Sequence, residues 1–338
     1  MTANSGNINR LKEIDFMRPI VIVLLVVMHS FSIYTGGGSW DYPKGINPVS
    51  AYKWVQVVSY GCMLEAFTFI SGYIFGLQLN KKPIKFLTLL GQKAKRLLIP
   101  SVVFSFLYIL LFVDDKWDDG INTLYLIIRG YAHLWYLPML FWCFIATWCI
   151  YRIKINEELK LFLVYACSII AIIPLPLQIN SAFHYLPFFY LGVYLYNNPL
   201  KDSSLRKAIL YIIAFLILLI TISYYRSTHE VLLAWQKVLF WYIKQLYATL
   251  GTIGLFIICK SISCRKELSE KWINFNACCF GIYIFHQFIL QFLYYHSPVP
   301  QWCGSYLLPW FGFTVALFGA FGLTWVCRRS KLGKFLLG

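Results

Sequence analysis

Among the ionisable residues inside apolar runs of this 338-residue chain are Arg18, His29 and Glu65. A charged or titratable side chain is costly in such a run, so it marks a site facing the protein interior. Arg18 and His29 are eleven positions apart, about three helical turns, which puts both on one face and looking into one cavity. At 1.5 Å per residue they are roughly 16 Å apart, so with Arg18 at a membrane boundary His29 falls near the midplane. Glu65 is about eleven residues into the second apolar run and reaches a matching depth. A carboxylate on one imidazole nitrogen fixes the tautomer and raises the basicity of the other, which is what a general base needs. The same His29–Glu65 pair also reads as a staple between two helices.

Two further groups carry chemistry. Lys93, Lys95 and Arg96 abut Leu97-Leu98-Ile99-Pro100 at the start of an apolar run, where cations suit a phosphorylated cytoplasmic ligand. Lys81, Lys82 and Lys85, further from that run, read as topology and lipid contacts. His133, His184, Lys244 and His286 share one depth in the outer half, among the aromatics Trp135, Tyr136, Tyr185 and Tyr283. Together they suggest a polar pocket with aromatic walls, although each alone also suits an anchor at headgroup level.

The elements that position these residues are membrane helices. With 59% hydrophobic, 19% aromatic and 13% charged residues, the chain has about half the charge of an ordinary soluble domain. A span needs about 20 apolar residues, and ten segments approach that length: approximately 16–35, 54–79, 97–113, 134–151, 159–177, 181–197, 206–224, 238–260, 272–295 and 305–327. The sixth is short and opens with His184 and Pro187, and the aromatic stretch 121–133 reads as a re-entrant or interfacial helix. Of 30 Lys and Arg, 22 fall on the side that carries both termini, from Arg10 and Lys12 onward, and six, Lys116 among them, fall on the other. By the positive-inside rule both termini are cytoplasmic. The expected fold is all-α: one polytopic membrane domain, 1–338, of about ten transmembrane helices.

A net charge of +16 is accounted for by those loops and anionic membrane lipids, so nucleic acid is rejected as a partner. Ten cysteines show no C-x-x-C spacing and only Cys303 falls on an outer loop, which argues against both a metal site and an exported disulfide. No glycine-rich nucleotide fingerprint, G-x-S-x-G elbow or H-E-x-x-H pattern is present. The first span contains Arg18 and His29 and lacks a cleavage pattern, so it is expected to be retained.

Asp15-Phe16-Met17-Arg18 through His29-Ser30 resembles the opening Arg-x10-His helix of the membrane acyltransferase 3 family. In the family's order follow Glu65 to Tyr73, similar to its acidic, aromatic and Ser-Gly segment, and Lys93 to Pro100, similar to its basic run before proline. His133-Leu134-Trp135-Tyr136-Leu137 resembles its His-Leu-Trp segment, and Gly281 to His286 its Tyr-hydrophobic-His element. Two departures stand out: lysines where the family often has arginines, and Glu65 where many members carry Asp.

The resemblance implies an acyl-CoA-dependent O-acyltransferase, with acetyl-CoA as donor substrate and a cell-envelope or exported carbohydrate as acceptor, in a bacterial cytoplasmic membrane. Under it His29, Glu65 and Arg18 are the catalytic set; Lys93, Lys95 and Arg96 bind the donor; His133, Trp135, Tyr136, His286 and Lys244 bind the acceptor. The rival readings are a proton-coupled transporter or flippase of a glycan or acyl group, for which a midplane His–Glu pair is also suited, and a non-catalytic scaffold or sensor.

Overall fold

The computed structural model describes residues 11–35, 40–114, 118–201, 203–229 and 231–337, so Arg10 and Lys116 of the charge pattern lie outside the described residues. Among these residues every regular element is helical. The order is α1 (Lys12–Phe31), α2 (Ser50–Tyr60), α3 (Met63–Lys81), α4 (Phe86–Lys93), α5 (Ile99–Phe112), α6 (Gly120–Arg129) and α7 (Tyr136–Tyr151), followed by α8 (Glu157–Cys167), α9 (Ile179–Asn197), α10 (Leu205–Thr228), α11 (Ala234–Ser263), α12 (Glu270–Tyr295), α13 (Val299–Cys327) and α14 (Lys331–Leu337).

Eight stretches among the described residues are long and apolar enough to cross a membrane: α1, α2–α3, α4–α5, α7, α10, α11, α12 and α13. The remaining two expected spans are α8 with the 3₁₀ segment Ser168–Ile172, and α9. α8 opens with Glu157 and Glu158 beneath an Asn156 side-chain cap, which shortens its apolar length. α9 carries His184, Pro187 and the buried Tyr185 and Tyr190 because it is packed inside the protein, where lipid does not dictate composition. α6, at ten residues, is too short to span.

Breaks in the helices have local causes. Between α2 and α3, Cys62 takes φ −143 and ψ 9, so the single expected span 54–79 is two segments with a kink. Pro100 has no N–H to offer the carbonyl four residues back, and the turn before it, Ala94–Leu98, widens to a π-helix that carries Lys95 and Arg96. Such π turns inside helices are frequent at functional sites.

The tightest crossing is α3 on α9. A Cβ at Gly72 would overlap the Phe189 carbonyl, and one at Gly192 would lie 2.6 Å from Tyr73 N. Small residues are what allow membrane helices to approach backbone to backbone, since burial from water supplies little drive inside lipid.

The start of α1, the α11–α12 loop and the end of α13 gather at one end of the bundle: Lys12 Nζ bonds Glu267 Oε1 at 2.9 Å, and Arg328 Nη1 donates to Ala277 O at 2.7 Å. The basic π turn joins them, with Lys95 Nζ 4.9 Å from the Phe335 ring centre on α14.

Candidate active site

Two cavities open toward opposite ends of the bundle and meet back to back. The inner one, about 400 Å³, is reached from the basic end and is lined by Arg18, Lys93, Arg96, Asn276 and Arg328. The outer one, about 740 Å³, is lined by His29, His133, Trp135 and Tyr136. Leu25, Leu64, Tyr136 and Tyr283 line both, so the partition is one side chain thick. Arg18 and His29 do share a face of α1, as their spacing requires, but they look into different cavities, with Leu25 between them. The expectation of one common cavity is corrected to two.

At the inner end Arg18 Nη1 donates to Asn276 Oδ1 at 3.1 Å, and Asn276 Nδ2 donates to Asp15 Oδ1 at 2.6 Å, so an amide carries the carboxylate's pull to the guanidinium. Lys93 Nζ stands 3.8 Å from the Phe144 ring centre and 3.4 Å from Gln78 Oε1, held over an aromatic face that favours a cation. A second basin of about 740 Å³ shares Gln78, Lys93, Arg96 and Phe280 with the inner cavity and is ringed by Lys81, Lys82, Lys95 and Lys334. Among the described residues no Asp or Glu lines either space. Lys81 and Lys82, read from sequence as topology and lipid contacts, thus share the mouth with Lys93, Lys95 and Arg96. Lys334, Arg328 and Asn276 escaped the sequence reading, because nothing in their local pattern links them to helices α1 and α4.

At the outer end the 3₁₀ turn Ala132–Trp135 presents His133, Trp135 and Tyr136. Gly130, at φ 84, lets the chain fold back so tightly that a Cβ would sit 2.8 Å from Leu134 O. α12 then grips the turn: Tyr283 donates to His133 O at 2.6 Å, His133 N donates to Gln287 Oε1 at 3.1 Å, and His133 Nε2 meets Ile284 O at 3.0 Å. His133 Nδ1 is buried with no partner. His29 contacts the same helix, with its Nδ1 3.1 Å from His286 Nε2 and 3.1 Å from Leu25 O.

Three sequence expectations are displaced. Glu65 does not meet His29; its Oε1 lies 3.8 Å from His184 Nε2, and its Oε2 has no hydrogen-bond partner. The kink before α3 turns the first helical turn, with Glu65, toward α9. His286 is fully buried behind His29 and is absent from the outer cavity's lining. Lys244 also lies outside that lining, 5.8 Å from the ring centre of Tyr60, which does line it. No cluster of three His, Cys, Asp or Glu suited to a metal ion occurs among the described residues.

The site thus joins, within a helical membrane bundle, a cationic cavity at one end and a histidine-edged cavity at the other. The acyltransferase domain model matches residues 11–329, and the chain belongs to the acyltransferase 3 family of membrane acyltransferases. Comparison with curated proteins and with solved structures gives no match.

Proposed function

We propose that this chain transfers an acyl group, acetyl in the simplest case, from acyl-CoA held at the basic end to a carbohydrate hydroxyl held in the outer cavity. The carrying observation is the back-to-back meeting of the two cavities at Leu25, Leu64, Tyr136 and Tyr283.

The basic end faces the cytoplasm in this reading, in keeping with the positive-inside rule. Lys93, Lys95 and Arg96, joined by Lys81, Lys82 and Lys334, take the phosphates of the donor as charge-assisted partners. Arg18 and Asn276 lie along the narrower apolar passage that receives the pantetheine arm and thioester. The outer cavity offers aromatic faces (Trp40, Tyr60, Tyr108) and side-chain amides (Gln56, Gln287, Gln291), a set suited to sugar rings and their hydroxyls.

At the partition the sugar oxygen attacks the thioester carbonyl as His29 Nε2 takes the hydroxyl proton. The C–O bond forms, the C–S bond breaks, and the proton passes from His29 to the departing thiolate, so the products are the sugar ester and free CoA thiol. Glu65 in this scheme does not orient the base; it faces His184 of α9 instead.

Sidedness tests the reading. Labelled acetyl-CoA is supplied to inside-out vesicles from cells that express the chain, and acetate ester in lumenal glycan is counted. Label accumulates in sealed vesicles if the reading holds. Incorporation that appears only after the vesicles are made leaky would overturn it.

A further inference from the structure

We infer that His286 is the positioning residue for His29, fixing its tautomer through a histidine–histidine hydrogen bond in place of the carboxylate that such bases ordinarily use. The inference rests on the acyltransfer reading for its catalytic meaning, but its structural content stands apart from it.

Three contacts determine the proton positions. His286 Nδ1 lies 3.0 Å from Ile282 O, and His29 Nδ1 lies 3.1 Å from Leu25 O. A carbonyl oxygen only accepts, so each of these nitrogens carries a hydrogen. With its hydrogen on Nδ1, neutral His286 presents a lone pair at Nε2, which is 3.1 Å from His29 Nδ1. The His29 Nδ1–H is therefore shared between Leu25 O and His286 Nε2, and His29 Nε2 is left with its lone pair and no partner among the described residues. The reverse arrangement, with His286 Nε2–H donating to His29, sets a lone pair against each of the two carbonyls. It is excluded on the same contacts.

The third histidine completes the cluster with the opposite tautomer. His133 Nε2 meets Ile284 O at 3.0 Å and so bears the hydrogen, leaving the buried Nδ1 as an unpartnered acceptor. Ring centres are 4.9 Å apart for His29 and His286, and 5.1 Å for His133 and His286. Among the described residues no carboxylate lies within hydrogen-bond distance of any of the three. A neutral imidazole shares the charge that His29 acquires in the transition state without burying a permanent anion, whose desolvation would be costly.

Two measurements separate the inference from the reading beneath it. Nitrogen-15 spectra of histidine-labelled protein in lipid, assigned with single His→Gln variants, report each tautomer without any turnover. We expect Nδ1–H on His29 and His286 and Nε2–H on His133. A neutral His286 with its hydrogen on Nε2 overturns the inference whatever the activity.

In labelled acetyl transfer, His286→Ala lowers kcat about 10- to 100-fold with KM for acetyl-CoA nearly unchanged, while His286→Gln, whose amide oxygen reaches the Nε2 position, regains most of the loss. Equal loss in both variants, with folding intact by thermal unfolding, makes His286 a packing residue and overturns the inference. Full activity in His29→Ala instead removes His29 as the base of the transfer and leaves the tautomer result standing.

Discussion

Arg96→Ala isolates the donor site because Arg96 lines both the inner cavity and the basic basin and pairs with no carboxylate among the described residues. Its loss therefore leaves no orphaned anion behind, and the folded state is expected to be nearly as stable as before. A charge-assisted hydrogen bond to phosphate is worth about 1.5–3 kcal/mol, and tenfold in affinity corresponds to about 1.4 kcal/mol. Donor binding should weaken about 10- to 150-fold. Lys93 and Lys95 remain nearby, within about one screening length at physiological salt, which favours the lower part of that range. Calorimetric titration of acetyl-CoA into detergent-purified protein reads the change directly. The same titration with dephospho-CoA divides the effect between the ribose phosphate and the pyrophosphate. Binding of both ligands within a factor of about two of wild type would refute the assignment of the basic basin to the donor.

Leu25→Trp thickens the partition: acetyl-CoA binding should persist while acetyl transfer falls by about tenfold or more, and transfer at the wild-type rate would contradict a wall that the acyl group must pass. Gly192→Val forces the α3 and α9 backbones apart at a cost of at least about 1–3 kcal/mol, so the thermal midpoint in detergent should drop by several degrees; an unchanged midpoint would deny the close crossing. Lys334→Glu on α14 should weaken acetyl-CoA binding more at low than at high salt, and an effect independent of salt would remove α14 from the donor mouth.

The sequence carried more of the fold than of the site. Apolar runs located the membrane helices because lipid imposes one composition on every surface it touches. Of the two segments that fell short, α9 is packed among protein, where that rule has no force, and α8 opens with Glu157 and Glu158, which shorten its apolar length. The Arg18-to-His29 spacing correctly put both side chains on one face of α1, yet spacing on one helix says nothing of Leu64, Tyr136 and Tyr283 arriving from other helices to divide the space. Glu65 was misplaced for a local reason: depth arithmetic assumes a straight helix, and the backbone turns at Cys62. His286 was grouped by depth with outer-pocket residues, and its true neighbour, His29, is 257 positions away in the chain. Lys81 and Lys82 illustrate a different limit, since a lysine placed for topology and a lysine placed for phosphate look alike until a basin is seen between them.

The most direct test of the central claim compares wild type and His29→Ala, both purified in detergent and then returned to glycan-containing envelope membranes with labelled acetyl-CoA. The account predicts that His29→Ala binds acetyl-CoA with wild-type affinity yet loses about 10²–10⁴-fold in transfer of label to glycan, the range of a general base. Transfer by His29→Ala at the wild-type rate would contradict it.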